Sequence, residues 1–564
     1  MKEHMVITIM ANVGFSAPYT AYIVWVPYLP LYFNQSWAGE FGYQILVALS
    51  TNFIGYGLAG LTRRFLVYPS RAIWPSNLAT IALNRAFHSE SNAPANGWTI
   101  SRMSWFAYSF VAMFIYFWFP NYLVAAMSYF NWTTWIAPNN VHLAAITGTD
   151  GGLGLNPFPT WDWNQCSVIG DPLINPFYSI VNSFLGTLLI FPIVVAIWYT
   201  NTWNTAYLPI NSFGVYDNTG SRYRVLNTVD EQSLFHEASY KAYSPAYLSA
   251  TNIFVYGLFF AAYTSAITHT YLYNRREIVA GFKNLIGGKS AFADSKDVHT
   301  RLMRSYKEVP EYAYFGVLIV SIALGAAGIG AYPTQTTPAV VLYGVFLAII
   351  FCIPLGVIMS VTNIEIPLSV IAELFGGLLF PGNATAMNYF KTYGYITTTH
   401  TLLFAQDLKL AHYVHIPPWV TLNCQMVATL VSTIVCTAIL NYRMTIPDVC
   451  TPHHKDRFTC PGVNVFFTAS VLWGTLGPER MYGSGSIYNG LLWCFFIGAV
   501  LPVPFYFLRK RFKTFRYFHA PVFLVGSLGW APYNLSHAWA AVPPAFVFNY
   551  YIKRRFLGWW SKYN

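Results

Sequence analysis

Charge is what this sequence has least of. Only 9% of its 564 residues are Asp, Glu, Lys or Arg, against about a quarter in soluble domains. That scarcity excludes an ordinary water-soluble globule. With 55% of the residues hydrophobic and 18% aromatic, the chain has no polar shell in which to wrap its apolar surface. Acidic residues are the scarcer sign, 21 against 32 Lys and Arg, and the resulting +11 raises nucleic acid as a partner. No polar domain exists on which basic residues interleave with base-stacking rings, so no nucleic acid is expected. The basic surplus is instead the excess that polytopic membrane proteins carry in their cytoplasmic loops. A cleavable leader pattern is also missing, because Met1 is followed by Lys2-Glu3-His4 and an apolar run without a small-residue cleavage site.

Cysteine is sparse, seven in all. Cys352, Cys424, Cys436 and Cys494 lie inside apolar runs and read as core fillers. Cys450 and Cys460 bracket the polar loop VCTPHHKDRFTC and form a disulfide if that loop faces an oxidising compartment. His453 and His454 within it lack a second ligand pair at zinc spacing, so no metal and no organic cofactor are expected. Catalytic patterns are absent too. There is no nucleophile elbow, HExxH or paired catalytic acid to make His400 or His412 a base, and the chain does not read as an enzyme. Nor is there a short-period repeat or an appended soluble module, so 1–564 reads as one integral-membrane domain.

What is present is a succession of apolar windows of roughly 20 residues, the length of a membrane-spanning helix. They are Met5–Leu31 (kinked by Pro18, Pro27 and Pro30), Phe41–Leu61, Met103–Met127, Pro176–Tyr199, Ala250–Leu272, Tyr312–Ala331 and Pro338–Val361. Further along come Glu365–Phe380, Ala384–Ala405, Val420–Leu440, Val463–Leu476, Tyr488–Leu508, Phe518–Pro532 and Ala538–Tyr551. The expected fold is therefore all-α and polytopic, with about 12 to 14 embedded helices, some short or re-entrant. Eight Lys and Arg in the loop at about 274–311 (Arg275, Arg276, Lys283, Lys289, Lys296, Arg301, Arg304, Lys307) place it in the cytoplasm. So do the strings at Leu508–Arg516 and Lys553–Arg555. The loops at about 200–247 and 441–462 are expected on the exoplasmic side, the first holding Arg222, Arg224 and Lys241 against Asp217, Asp230, Glu231 and Glu237.

One stretch concentrates the ions that the rest of the chain lacks. NIEIPLSVIAELFGGLLFPGN carries Glu365 and Glu373, KTYGY carries Lys391, and QDLKLAHYVHIPPW carries Asp407, Lys409, His412 and His415. An ionised side chain inside the bilayer costs about 2.5–3.5 kcal/mol on insertion scales and so faces a cavity or a partner. Pro and Gly among these ions would break helices, and broken helices at membrane depth build the binding sites of secondary transporters. Glu365 and Glu373, eight positions apart, stand about 80° apart on a helix and border one cavity if Pro367 leaves the helix intact. The group from Asp407 to His415 reads as an interfacial salt-bridge cluster or as a gate, with His412 and His415 able to titrate near neutral pH. Two clusters pair aromatic rings with amides, Trp161, Asp162 and Asn164 before one span, and Trp203, Asn204, Tyr207 and Asn211 after it. Asn side chains supply both the donor and the acceptor that a peptide amide needs. Glu479 and Arg480 read as a mutual ion pair.

Several strings resemble the oligopeptide transporter (OPT) family, its peptide-transporting branch more than its metal-chelate branch. They are NPFPTWDWNQ, NTWNTAYLPINS, YSPAYLS, VIAELFGGLLFPGNATAMNYFKTYGYIT, QDLKLAHYVHIPPW, FTCP, ASVLWGTLGPER and RRFLGWWSKYN, in the family's order across nearly the whole chain. The resemblance implies a multi-pass secondary transporter that moves small oligopeptides, in some members glutathione or its conjugates, together with protons. Glu373 matches a family acid and leads the expected coupling residues, with Glu365, Lys391, Asp407, Lys409, His412 and His415. Trp473 and Glu479, within ASVLWGTLGPER, join the two aromatic-amide clusters as substrate-cavity candidates. The plasma membrane of a fungal-like eukaryotic cell is the expected location, with vacuolar or other endomembranes as the alternative. Two departures stand out. The family usually has Lys-Ile-Pro-Pro-Arg where this chain has His415-Ile416-Pro417-Pro418-Trp419, so no anion-pairing role carries over to those positions. The chain also resembles a member shortened at both ends. Metal-chelate transport, or a transport-inactive relative, are the alternative functions.

Overall fold

The computed structural model describes residues 1–15, 19–89, 92–230, 234–287, 297–451, 454–456 and 458–563. Pro18, Glu231, Lys289, Lys296 and His453 lie outside them. Among the described residues the chain is all-α apart from one two-stranded antiparallel ribbon, Val215–Tyr216 with Tyr247–Leu248. Among the described residues eight helices are long and apolar enough to cross a bilayer. They are Phe41–Leu66, Arg102–Leu123, Phe177–Tyr199, Ala250–Asn284, Glu311–Gly330, Val340–Thr362, Pro418–Met444 and Asn489–Arg511. Shorter apolar helices fill the spaces between them, among them Ser369–Leu379 and Ala520–Gly526.

Helix boundaries follow local chemistry. The helix expected to stop at Leu61 runs to Leu66 and takes two arginines with it. Arg63 is buried there because it donates to Glu311 at 2.6 Å and to Glu308 at 3.1 Å, so its charge is matched inside the bundle. The helix begun at Ala250 continues to Ile286, 37 residues or about 55 Å, and carries the basic segment beyond a hydrocarbon core about 30 Å thick. The Met5–Leu31 window is two helices, Lys2–Phe15 and Thr20–Tyr28. In the last window Pro543-Pro544 interrupt the ladder, giving Leu535–Ala540, Val542–Ala545 and a π-helical turn at Phe546–Ile552. A further helix, Pro75–His88, is too polar to register as an apolar window.

Small residues let the helices approach. A Cβ on Gly55 would lie 2.5 Å from His400 Cβ, and one on Gly57 would lie 2.6 Å from Leu318 Cβ. Phe41–Leu66 is thereby clasped between Thr397–Val414 and Glu311–Gly330, the small-residue packing that membrane helices favour. At one end of the bundle Arg63 and Arg64 meet Glu308 and Glu311, Arg71 meets Glu277 at 3.1 Å, and His412 stands 3.8 Å from Asp297. At the other end, Phe235 N–H donates to Gly382 O at 3.1 Å. There too Arg480 holds Glu237 at 2.8 Å and Tyr488 Oη accepts from Leu248 N–H at 2.9 Å.

Candidate functional site

The site begins at a break in regular structure. Helix Val340–Thr362 ends at Asn363, whose φ is +57°, and residues 363–368 lie outside helix and strand before helix Ser369–Leu379 starts. Pro367 explains the delay, since it lacks an N–H and disfavours helix in the residue before it. Glu365 and Glu373 therefore do not share one helix face. Along this break Ile364, Ile366 and Leu368 are buried while Asn363, Glu365 and Pro367 are half-buried, so burial alternates residue by residue. Glu365 accepts from Thr399 Oγ1 at 3.2 Å. Pro367 O accepts from Tyr263 Oη at 2.8 Å, which anchors the break to helix Ala250–Ile286.

After the break the chain rises through Ser369–Leu379, turns at Pro381-Gly382 and descends through Ala384–Lys391. This hairpin sets Lys391 Nζ 2.6 Å from Glu373 Oε1, with both side chains nearly sealed from solvent. The ammonium also sits over the Phe466 ring, 4.5 Å from its centre. The descending helix passes through a π-helical turn, Thr392–Ile396, before resuming as Thr397–Val414. A second π-helical turn, Val471–Leu476, carries Trp473. Such turns concentrate at functional sites because the extra residue re-aims neighbouring side chains. Trp473 stacks on Tyr482 with ring centres 5.3 Å apart, and its edge meets Tyr256 at 5.1 Å. Gly377, one turn after Glu373, packs against the Trp473 carbonyl. Glu373, Lys391, Trp473, Tyr256 and Tyr482 thus form one buried group drawn from five elements.

The remaining acid-base residues separate from it. Asp407 is buried, and its oxygens accept from Asn12 Nδ2 at 3.4 Å and Gln425 Nε2 at 3.3 Å. Lys409 donates to Val67 O at 2.6 Å and to Pro69 O at 3.3 Å. Asp407 and Lys409 do not pair with each other. His412 reaches Thr300 Oγ1 at 3.3 Å, and His415 contacts His299 at 3.2 Å, so this cluster closes the basic end of the bundle. The aromatic-amide clusters are structural in this conformation. Asp162 caps helix Trp163–Ser167 through Asn164 N–H, and Asn211 spends its amide on Gly152, Ala531, Pro532 and Tyr533 backbone groups. Trp161, Asn164, Asn204 and Tyr207 are exposed, and Trp203 leans on Tyr488 with ring centres 6.2 Å apart. Glu479 is exposed and Arg480 pairs with Glu237 rather than with its neighbour, because adjacent residues on a helix do not face each other. Cys450 and Cys460 form a disulfide, S–S 2.12 Å. Tyr256 and Tyr482 went unmarked in the sequence, where a Tyr in an apolar run looks like interface or core.

With this geometry in view, similarity to known proteins gives it a setting. The chain matches the model described as OPT oligopeptide transporter protein over residues 1–564. It is 38% identical to sexual differentiation process protein isp4 of Schizosaccharomyces pombe over the whole chain and 71% of that protein. It is 36% identical to oligopeptide transporter 2 of Saccharomyces cerevisiae, again over the whole chain and 65% of the relative. The same identity and full coverage hold for glutathione transporter 1 of S. pombe, over 67% of its length. The chain therefore spans about two thirds of the length of these relatives. No solved structure matches. The family is one of transporters rather than enzymes, and eight apolar spans make the chain a multi-pass integral membrane protein. On the full-length family match and these identities, the chain belongs to the OPT oligopeptide transporter family.

Proposed function

We propose that this chain is a proton-coupled secondary transporter of small oligopeptides, and that the buried Glu373–Lys391 pair is the element substrate opens. The observation that carries this reading is an ion pair of 2.6 Å beside a break in the membrane helices. A short peptide brings both a terminal ammonium and a terminal carboxylate, the two charges that can exchange with such a pair. When the substrate carboxylate takes Lys391, Glu373 is left buried without its cation. Burial disfavours a lone charged carboxylate, so a proton neutralises it and moves with the peptide. The names of the relatives, oligopeptide and glutathione transporters, favour a peptide over a metal chelate. No cofactor besides the proton enters this scheme. The basic end of the bundle faces the cytoplasm in it, and the plasma membrane is the proposed location. The test is uptake of a labelled tetrapeptide by cells expressing the chain, with and without a proton gradient. Gradient-dependent accumulation is expected; no uptake in either condition sinks the reading and leaves a transport-inactive relative.

A further inference from the structure

Buried polar atoms without partners occur along the chain from Thr20 to Trp530, most of them single hydroxyl, indole or imidazole atoms. Most side-chain amides inside the bundle are satisfied: Gln44 donates to Ala38 O at 3.1 Å, Asn182 to Tyr178 O at 2.6 Å and Asn534 to Thr149 O at 3.0 Å. Asn252 differs. Among the described residues it is the one buried amide whose Nδ2 and Oδ1 both lack a hydrogen bond, and the residue is sealed completely from solvent. It stands in the first turn of helix Ala250–Ile286, four positions before Tyr256 and so on the same face. Tyr256 meets Trp473, and Trp473 stacks on Tyr482. Two more orphans lie in that stack. The Tyr482 hydroxyl is buried without a partner, and Trp473 Nε1–H approaches only the Tyr256 hydroxyl, without the geometry of a good hydrogen bond.

An unpaired amide is costly to bury, and replacing it with an apolar group of the same shape is neutral or stabilising. A helix face and the aromatic stack packed on it that keep an amide and a phenol unpaired, and an indole N–H poorly paired, are holding recognition groups in reserve. The chemistry they lack is specific. Asn252 offers one donor and one acceptor on the same planar group, the complement of a peptide unit. The Trp473 and Tyr482 groups are further donors, suited to a carbonyl oxygen. The Glu373–Lys391 pair, one turn of helix from the contact of Gly377 with Trp473, supplies the charges for the termini.

We propose that Asn252, Trp473 and Tyr482 form a backbone subsite, closed in this conformation, in which one amide unit of a peptide completes the hydrogen bonds these side chains lack. The subsite opens when the segment 461–488 moves away from helix Ala250–Ile286; in its middle, the π-helical turn Val471–Leu476 and short helix Pro478–Tyr482 leave little regular ladder to break. This inference rests on the peptide-transport reading and adds to it what reads the middle of the substrate.

The experiment compares a labelled tetrapeptide with its analogue carrying one central ester in place of the amide, which deletes the N–H and weakens the carbonyl as an acceptor. Uptake of each is measured for the parent chain, Asn252→Leu and Tyr482→Phe, normalised to surface protein, alongside thermal stability of each purified protein. The parent chain is expected to prefer the amide by about tenfold, the size of one well-placed hydrogen bond. Asn252→Leu should lose that preference by slowing the amide substrate alone, while melting at the same or a higher temperature. Tyr482→Phe, which removes one oxygen, should narrow the preference in the same direction. An intact preference in both variants overturns the subsite. So does an Asn252→Leu protein that melts lower and slows both substrates equally, since Asn252 would then be a packing residue. Failure of the parent chain to move either peptide overturns the transport reading itself, and the subsite with it.

Discussion

At the scale of single residues, the decisive fact is that two opposite charges share one dry position. Glu373 and Lys391 satisfy each other at 2.6 Å, so removing either leaves the other uncompensated, at about 3–5 kcal/mol for a buried pair. Lys391→Met should therefore sharply lower the amount of folded protein. The double variant with Glu373→Gln should recover most of it, because a pair replaced by neutral groups is often no less stable. Folded yield and thermal stability of the two single variants and the double variant check this; equal losses in all three would show that the pair is not coupled. Transport separates a second role. Glu373→Gln keeps shape and hydrogen bonding but cannot take a proton, so concentrative uptake should vanish while downhill peptide exchange persists with a flattened pH profile. A normal profile in the surviving Glu373→Gln molecules sinks the coupling role. Glu373 was legible in the sequence because an acid in an apolar run must have a reason. Lys391 stood in the same reading, but its partnership did not, since a hairpin at Pro381-Gly382 and not a helical period brings the two together. Asn252 was illegible, because one polar residue near the start of a helix looks like any cap.

At the scale of elements, what matters is which breaks in helix the sequence announces. Pro367 announced one, and the structure turns it into a non-helical segment, 363–368, that takes Glu365 off the helix carrying Glu373. The π-helical turns at Thr392–Ile396 and Val471–Leu476 had no such herald, because an extra residue in a helical turn leaves the hydrophobic pattern nearly unchanged. The extramembrane loop at 200–247 holds itself by side chains instead. Asp217 Oδ1 accepts from Thr219 Oγ1 at 2.6 Å, Thr219 N–H at 2.9 Å and Ser221 N–H at 3.1 Å, and Oδ2 accepts from Tyr243 Oη at 3.1 Å. The Thr219 hydroxyl, then the backbone donors and Tyr243, hold this carboxyl below the usual carboxylate range. A depressed folded pKa gives stability that is complete above the unfolded value, about 3.9, and is lost as pH falls through the folded one. The segment 214–223 should therefore resist proteolysis from neutral pH down to about 4, the usual Asp value, and loosen only below it. Asp217→Asn should show no such acid step. A step at the same pH in the variant would assign it to another group. The disulfide between Cys450 and Cys460 gives a further check on the loop at 441–462. An impermeant thiol reagent on intact cells should label neither cysteine before reduction and both after it; labelling without reduction counts against the bridge.

At the scale of the whole molecule, the polytopic all-α architecture was readable from apolar windows, because a bilayer imposes their length. Which helices touch was not, since that depends on small residues such as Gly55 and Gly57 meeting particular partners. Sidedness rests on charge, and the structure concentrates charge at one end. Arg63, Arg64, Arg71, Lys409, His299, His412 and His415 gather beside the end of helix Ala250–Ile286, with Glu277, Glu308 and Glu311 matching part of the excess. The opposite end carries the disulfide, the β-ribbon and the Glu237–Arg480 pair. The translocation machinery retains Lys and Arg in short loops on the cytoplasmic side, and oxidising conditions favour disulfides on the other. Both arguments orient the molecule the same way through independent chemistry. An epitope tag inserted at Gly287, an exposed residue just past that long helix, should be reached by antibody only after cells are permeabilised. A tag between Asn218 and Gly220, in the loop with the ribbon, should be reached on intact cells. Because the two tags lie at opposite ends of helix Ala250–Ile286, exactly one should be accessible without permeabilisation. If it is the one at Gly287, the orientation is inverted, and the proton gradient would have to drive peptide through the Glu373–Lys391 site in the other direction.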